Sequence, residues 1–233
     1  MQHVTDVVIL SGAGRYSDPW HPFADTSSAL AGIVSDLGLS VDVRETLTPE
    51  ALSLHAERLV IVNTGKGTTA VAPDPAWTDA FTGLSDWLTA GGRLLGVHTA
   101  AAAFPDWPRW PDILGGAWTS GSSHPRLSIA GFTAASGAEQ HPVVAGLPDA
   151  GLIDPDLAGV PLVLTVDERY SGLDISASSV PLLTHELGER TEVMAWTAGD
   201  RIVYDGMGHD HRSYRSASRR RVVENAVAWL LDN

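Results

Sequence analysis

No cysteine occurs in the 233 residues. That removes disulfides, zinc–thiolate sites and a cysteine nucleophile together. Positive charge is scarce as well: 15 Lys and Arg stand against 28 Asp and Glu, a formal net charge of −13. A nucleic-acid partner calls for a cationic footprint, and only the run Arg219, Arg220 and Arg221 offers one. An anionic membrane surface would repel such a chain. No apolar run nears the length of a membrane span. The stretch 1–6 lacks the basic and apolar regions of a signal peptide. No nucleic acid, no membrane and a cytoplasmic location are therefore expected. Charged residues are only 18% of the chain, below the usual quarter, which points to a well-hidden surface or a homo-oligomer.

Several familiar motifs are missing too. Gly12-Ala13-Gly14 lacks the third glycine of a dinucleotide loop. The segment from Thr64 to Thr68 lacks the spacing of a Walker motif. There is no G-x-S-x-G elbow and no H-E-x-x-H helix.

What is present is a strand–helix alternation. Val7 to Leu10 and Leu59 to Val62 read as buried strands ended by glycine loops. Val41 and Val43 mark an edge strand. Arg93 to Val97 is a third central strand that delivers His98. Between them, Asp25-Thr26 is expected to cap a helix with Ala29, Leu30, Ile33, Val34 and Leu37 inward. A second helix is expected from Trp77 to Ala90, with Phe81, Leu84, Trp87 and Leu88 inward. The pattern predicts an α/β fold with a mostly parallel central sheet, whose ligands sit beyond the carboxyl ends of its strands. Loops 11–23, 63–75 and 98–124 then form the mouth. Closely spaced strands near 126–130, 161–166, 180–187, 192–197 and 201–205 predict an antiparallel extension. A last helix runs from about Ser218 to Leu231, with Val223, Ala226, Val227 and Leu230 inward. The whole chain, 1–233, reads as one domain.

Four segments put polar groups at expected strand ends. His98 follows a buried strand and precedes small residues that can open a helix, so it occupies an elbow, near a helix N-terminus that favours anions. His209 and His211 follow another strand; their alternation lets only one face the site. Gly115-Gly116-Ala117-Trp118 leads to His124. Glu168 and Tyr170 follow a fourth strand, as an acid or base and a hydroxyl donor, unless Glu168 merely pairs with Arg169. His21 and Asn63 lie in loops at the same mouth. Trp107, Trp110 and Trp118 could stack on the apolar faces of a sugar, or fill a satellite core, which is the expectation for two of the three. His141-Pro142 reads as a loop anchor, and the arginine run as a solvated helix face opposed to the helix dipole.

These pieces, in this order, resemble the ThuA-like family, named for trehalose utilisation. The resemblance rests on Gly96-Val97-His98, Leu114-Gly115-Gly116 with His124 downstream, His141-Pro142 with Gly146-Leu147, Asp167 to Tyr170, and Ala195-Trp196 leading to Gly208-His209. It spans nearly the whole chain; only the turn Gly199-Asp200-Arg201 departs from the family phrase. The resemblance implies a flavodoxin-like three-layer α/β sandwich, similar to class I glutamine amidotransferases, with the antiparallel extension. It implies that His98 holds the position of their cysteine, His209 that of their histidine, and His211 that of their glutamate. Without the thiolate, glutamine hydrolysis by that route is excluded.

Three functions stay open. The first is acid–base chemistry on a sugar or keto-sugar in trehalose or disaccharide catabolism. His98, His209 and Glu168 would be catalytic, with His124, Tyr170, Trp118, His21 and Asn63 binding the substrate. The second adds a zinc-like divalent metal on His98, His124 and His209 with Glu168, in a hydrolase or isomerase. The third is a non-catalytic sugar-binding or regulatory module. In each the partner is a small carbohydrate.

Overall fold

The structure is a computed structural model and describes residues 5–68 and 72–232. The first four residues of the stretch read for a leader, and residues 69–71 of the loop 63–75, lie outside the described residues.

Chain order builds one large sheet. Its strands are β1 (Val7–Ser11), β2 (Val41–Glu45), β3 (Leu59–Asn63), β4 (Arg93–Val97), β6 (Ser128–Ala134), β7 (Leu162–Asp167), β9 (Ser179–Leu187), β10 (Arg190–Ala198) and β11 (Ile202–Asp205). Two short strands, β5 (Gly116–Ala117) and β8 (Asp174–Ile175), pair separately. The order across the main sheet is β2-β1-β3-β4-β11-β10-β9-β6-β7. From β2 to β11 the neighbours are parallel; from β11 onward they are antiparallel. The expected parallel core and antiparallel extension are thus both present.

The helices are α1 (Phe23–Asp36), α2 (Pro75–Thr89), α3 (Trp110–Leu114) and α4 (Ala217–Asp232). Period-two alternation divides each central strand between two helical layers. Val7, Ile9 and Ile61 face Leu30 and Ile33 of α1 and Val223 and Val227 of α4. Val8, Leu10, Val60 and Val62 face Trp77, Phe81 and Leu84 of α2. All these side chains are buried, and each contributes about 1.5–3 kcal/mol of transfer free energy. Trp107 and Trp110 are buried in the second cluster; the Trp110 indole donates to the Ala100 carbonyl at 2.7 Å.

Helix boundaries differ locally from the sequence reading. Helix α1 begins at Phe23, not at an Asp25-Thr26 cap: the Thr26 hydroxyl donates back to the Pro22 carbonyl at 3.2 Å. Leu37 lies just past its end and is 40% exposed, so it is not part of the inward face. Helix α2 begins at Pro75, which has no N–H to orphan, under an Asp74 side chain that accepts from Ala76 N. After His98 the chain makes only a 3-10 turn, His98–Ala102, and not an α-helix.

The arginine run is corrected. Arg219 is fully buried, while Arg220 is half-buried and Arg221 exposed. The Arg219 guanidinium meets Asp205 at 2.8 Å and donates to the Met207 carbonyl at 3.1 Å. Its carboxylate partner at the end of β11 is what a helix-dipole argument alone does not supply.

No helix among the described residues is long and apolar enough to cross a membrane.

Candidate functional site

The site lies where β1, β4, β7 and β11 end. Although β7 is the far strand of the sheet, its terminal Asp167 accepts from the backbone N–H groups of Gly208 (2.9 Å) and His209 (3.2 Å), and from the Ser213 hydroxyl. The antiparallel extension therefore curls back over the end of β11. Burial lifts the Asp167 carboxyl to about 6, against the hydrogen bonds and the Arg219 charge that pull it down. That contact carries Glu168 and Tyr170 onto His98.

His98 is 2% exposed and sits in left-handed backbone, φ 49°. A non-glycine residue there carries about 1–3 kcal/mol of strain. Its surroundings fix the conformation. Tyr204 donates to the His98 carbonyl at 2.8 Å, and His98 Nδ1–H donates to the Gly206 carbonyl at 2.8 Å. That leaves Nε2 as an acceptor, which takes the Tyr170 hydroxyl at 2.9 Å. Burial, then the neighbouring His21, hold the His98 pKa well below the ordinary histidine value, so it is a neutral imidazole. Tyr170 is held well above the ordinary tyrosine value, first by burial and then by nearby Tyr204 and Glu168.

Glu168 is the hub. Its Oε1 lies 3.0 Å from His124 Nδ1; its Oε2 lies 3.4 Å from His209 Nδ1 and 3.6 Å from His98 Nε2. It is not paired with Arg169, whose guanidinium turns away to the Glu186 carbonyl. His209 arrives on the turn after β11, where Gly208 has φ 121° and a Cβ would stand 2.5 Å from the Tyr214 hydroxyl. Burial lowers the His209 pKa, but the neighbouring Glu168 carboxylate outweighs it, and the net shift is upward. His211 is exposed and neither lines the cavity nor joins this cluster.

The structure brings His21 into the same group. Its ring lies 5.1 Å from that of His98 and 5.0 Å from that of His209, both edge-on. His21 Nδ1–H donates to Asp18 at 2.7 Å. Asp18, which also accepts from the Trp20 and His21 backbone N–H groups, was missed at the sequence level. The only signal there is the spacing Asp18-x-x-His21 after a strand. Lys66 was missed as well: it lines the cavity with Asp18 and Trp20. The cavity measures about 200 Å³ and is bounded by His21, His98, His124, Trp118, Glu168 and Tyr170. It is small for a ligand pocket and suits one ring better than a dinucleotide.

Two expectations are corrected. Asn63 does not reach the cavity: its amide donates to the Thr26 and Ser27 hydroxyls at 2.8 and 2.9 Å and fixes the start of α1. Among the described residues, the side chains that could share a metal are His21, His98, Glu168 and His209. His124 is not among them, because it sits at the mouth on the other carboxylate oxygen. His141 accepts from Val143 N and caps a 3-10 turn, outside the site.

The parallel-core sheet with its antiparallel extension is an α/β fold shared with a glutamine amidotransferase. A glutamine amidotransferase from Methylobacillus flagellatus superposes with a TM-score of 0.55 at 11% identity, covering 98% of this chain and 95% of that one. The chain belongs to the ThuA family, whose model, described as trehalose utilisation, matches residues 6–230. A ThuA-like protein from Parabacteroides merdae superposes with a TM-score of 0.70 at 18% identity, covering 97% of this chain and 89% of that one. One from Bacteroides uniformis gives 0.69 at 17% identity, with 97% and 91% covered. Among curated proteins none matches the chain.

Proposed function

We propose that this chain is an enzyme of trehalose or related disaccharide catabolism that moves protons on a sugar or keto-sugar held above His98. One observation carries the reading: His98 and Glu168 line one cavity with His124 and Tyr170, and His209 stands 3.4 Å from the Glu168 carboxylate, in a chain of the trehalose-utilisation family. His124 contacts Glu168 and has a side chain 44% exposed, so it can pass a proton between the carboxylate and water. Tyr170, neutral and buried, offers a hydroxyl. Trp118 packs edge-on against Tyr170 at 4.7 Å and presents an aromatic surface to the apolar C–H face of a sugar. Such a set suits proton abstraction next to a carbonyl, as in elimination or isomerisation, or a general-base hydrolysis. Amide hydrolysis through a thiolate is excluded because the chain has no cysteine.

Calorimetry with trehalose and its keto derivative, followed by a product assay, tests the reading. Turnover by the wild type is expected, with a loss of about 10²-fold or more in His98→Ala and His209→Ala, the typical contribution of a proton-transfer group. Binding without turnover assigns a non-catalytic sugar-binding module instead. Undiminished activity in both variants overturns the assignment of the centre.

A further inference from the structure

We infer that His21, His98, Glu168 and His209 form a binding site for a first-row divalent cation, with zinc as the first choice. The ligand atoms of all four lie within 4.8 Å of one another. Two separations are more specific. Glu168 Oε2 stands 3.4 Å from His209 Nδ1 and 3.6 Å from His98 Nε2. Ligands about 2.0–2.2 Å from a zinc ion at tetrahedral angles stand about 3.3–3.6 Å apart. These contacts are long for hydrogen bonds, which cluster at about 2.7–3.2 Å, but they match the edges of a coordination polyhedron.

The nitrogens are prepared for the same purpose. His209 Nδ1 is buried and has no hydrogen-bond partner. His98 spends its Nδ1–H on the Gly206 carbonyl, and His21 spends its Nδ1–H on Asp18. Each therefore keeps an Nε2 lone pair, and each is oriented by an oxygen behind it, as metal-bound histidines are. The three rings form a triangle with centroids 5.0, 5.1 and 5.5 Å apart, and a carboxylate completes the group. Imidazole with carboxylate is a donor set for zinc and its neighbours in the first row.

Occupation would turn His98, His209 and Glu168 from proton carriers into ligands. The His98 Nε2 lone pair would pass from the Tyr170 hydroxyl to the cation, freeing that hydroxyl to face the cavity. His124, outside the quartet, would remain as the proton carrier. The use of the cation in turnover rests on the sugar reading above; its binding does not.

The test uses the full chain, stripped with a chelator, dialysed, and titrated with zinc chloride by calorimetry. Cobalt(II) is then added and followed by visible absorption. One equivalent of zinc and the cobalt bands of a four- or five-coordinate site are expected. Affinity should fall at least 100-fold in His21→Ala and in Glu168→Gln, and 10- to 100-fold in Asp18→Asn, each measured on protein shown to be folded. His55→Ala, an exposed histidine elsewhere, should bind as the wild type does. No zinc heat and no cobalt bands from folded wild-type protein overturn the inference. So does one-equivalent binding that persists unchanged in both His21→Ala and Glu168→Gln. Sugar turnover by the stripped protein, without any metal binding, rejects the cation and keeps the proton-transfer reading. One-equivalent binding that is lost in the quartet variants, without sugar turnover, keeps the cation site and rejects that reading.

Discussion

Replacing Asp205 by Asn should destabilise the protein far more than its size suggests. Asp205 and Arg219 are both essentially without solvent contact, 1% and 0% exposed, and 2.8 Å apart. Burial raises the Asp205 carboxyl above the usual carboxylate range, and Arg219 pulls it back. Asparagine keeps the shape and can still accept from Met207 N, as Asp205 does at 3.1 Å. It removes only the negative charge, which leaves a guanidinium uncompensated in the interior. Breaking a buried pair from one side costs about 3–5 kcal/mol. For a chain of this length each kcal/mol shifts Tm by about 2–4 °C, so Tm should fall by roughly 6–20 °C. The double variant Asp205→Leu with Arg219→Met removes both charges, and most of the loss should return. Urea and thermal unfolding followed by circular dichroism measure both. A cost under about 1 kcal/mol for Asp205→Asn, or a double variant no better than the single, would refute the claim that the pair is desolvated and mutually dependent.

Three further outcomes follow from particular contacts. Asn63→Ala should lower stability by about 1–3 kcal/mol through the lost amide bonds to the Thr26 and Ser27 hydroxyls, while sugar affinity of the folded fraction stays unchanged by calorimetry. Gly208→Ala should cost more than about 1 kcal/mol, because its φ is positive and the new Cβ would meet Tyr214 and Val97; a chemical-shift change at the His209 ring should accompany the lower Tm. His141 has a pKa lowered by burial, and its Nδ1 accepts from Val143 N at 3.2 Å. The unfolded chain therefore takes up this proton first as pH drops below about 6.5. The stabilisation is complete above that pH and is lost as pH falls through the folded value. His141→Asn, which caps without titrating, should flatten that part of the stability–pH curve.

The parallel half of the fold was legible because its strands are short β-branched runs, such as Val7 to Leu10 and Leu59 to Val62, buried on both faces. The position of His98 followed from the same rule, since one residue past a buried strand must emerge at the sheet edge. Its left-handed backbone was not legible, because three tertiary contacts rather than the local sequence hold it there. Glu168 and Tyr170 were picked as strand-end residues. Their meeting with His98 depends on the curl of the extension, which no local pattern encodes. Asp18 and His21 escaped a metal grouping for the same reason: their loop is positioned by β1, far from His209 in sequence. Asn63 was misread because a polar residue at a strand end can as well serve a helix start as a ligand. Arg219 was misread because its partner, Asp205, lies on another element.

The most direct test of the central claim is proton NMR of trehalose and its keto derivative incubated in D2O with wild-type protein and with Glu168→Gln. The account predicts a new sugar product in the wild type only, and, where the keto derivative is isomerised, deuterium at the carbon beside its carbonyl that loses and regains a proton. Unchanged spectra from folded, sugar-binding wild-type protein, or equal conversion by Glu168→Gln, would contradict it.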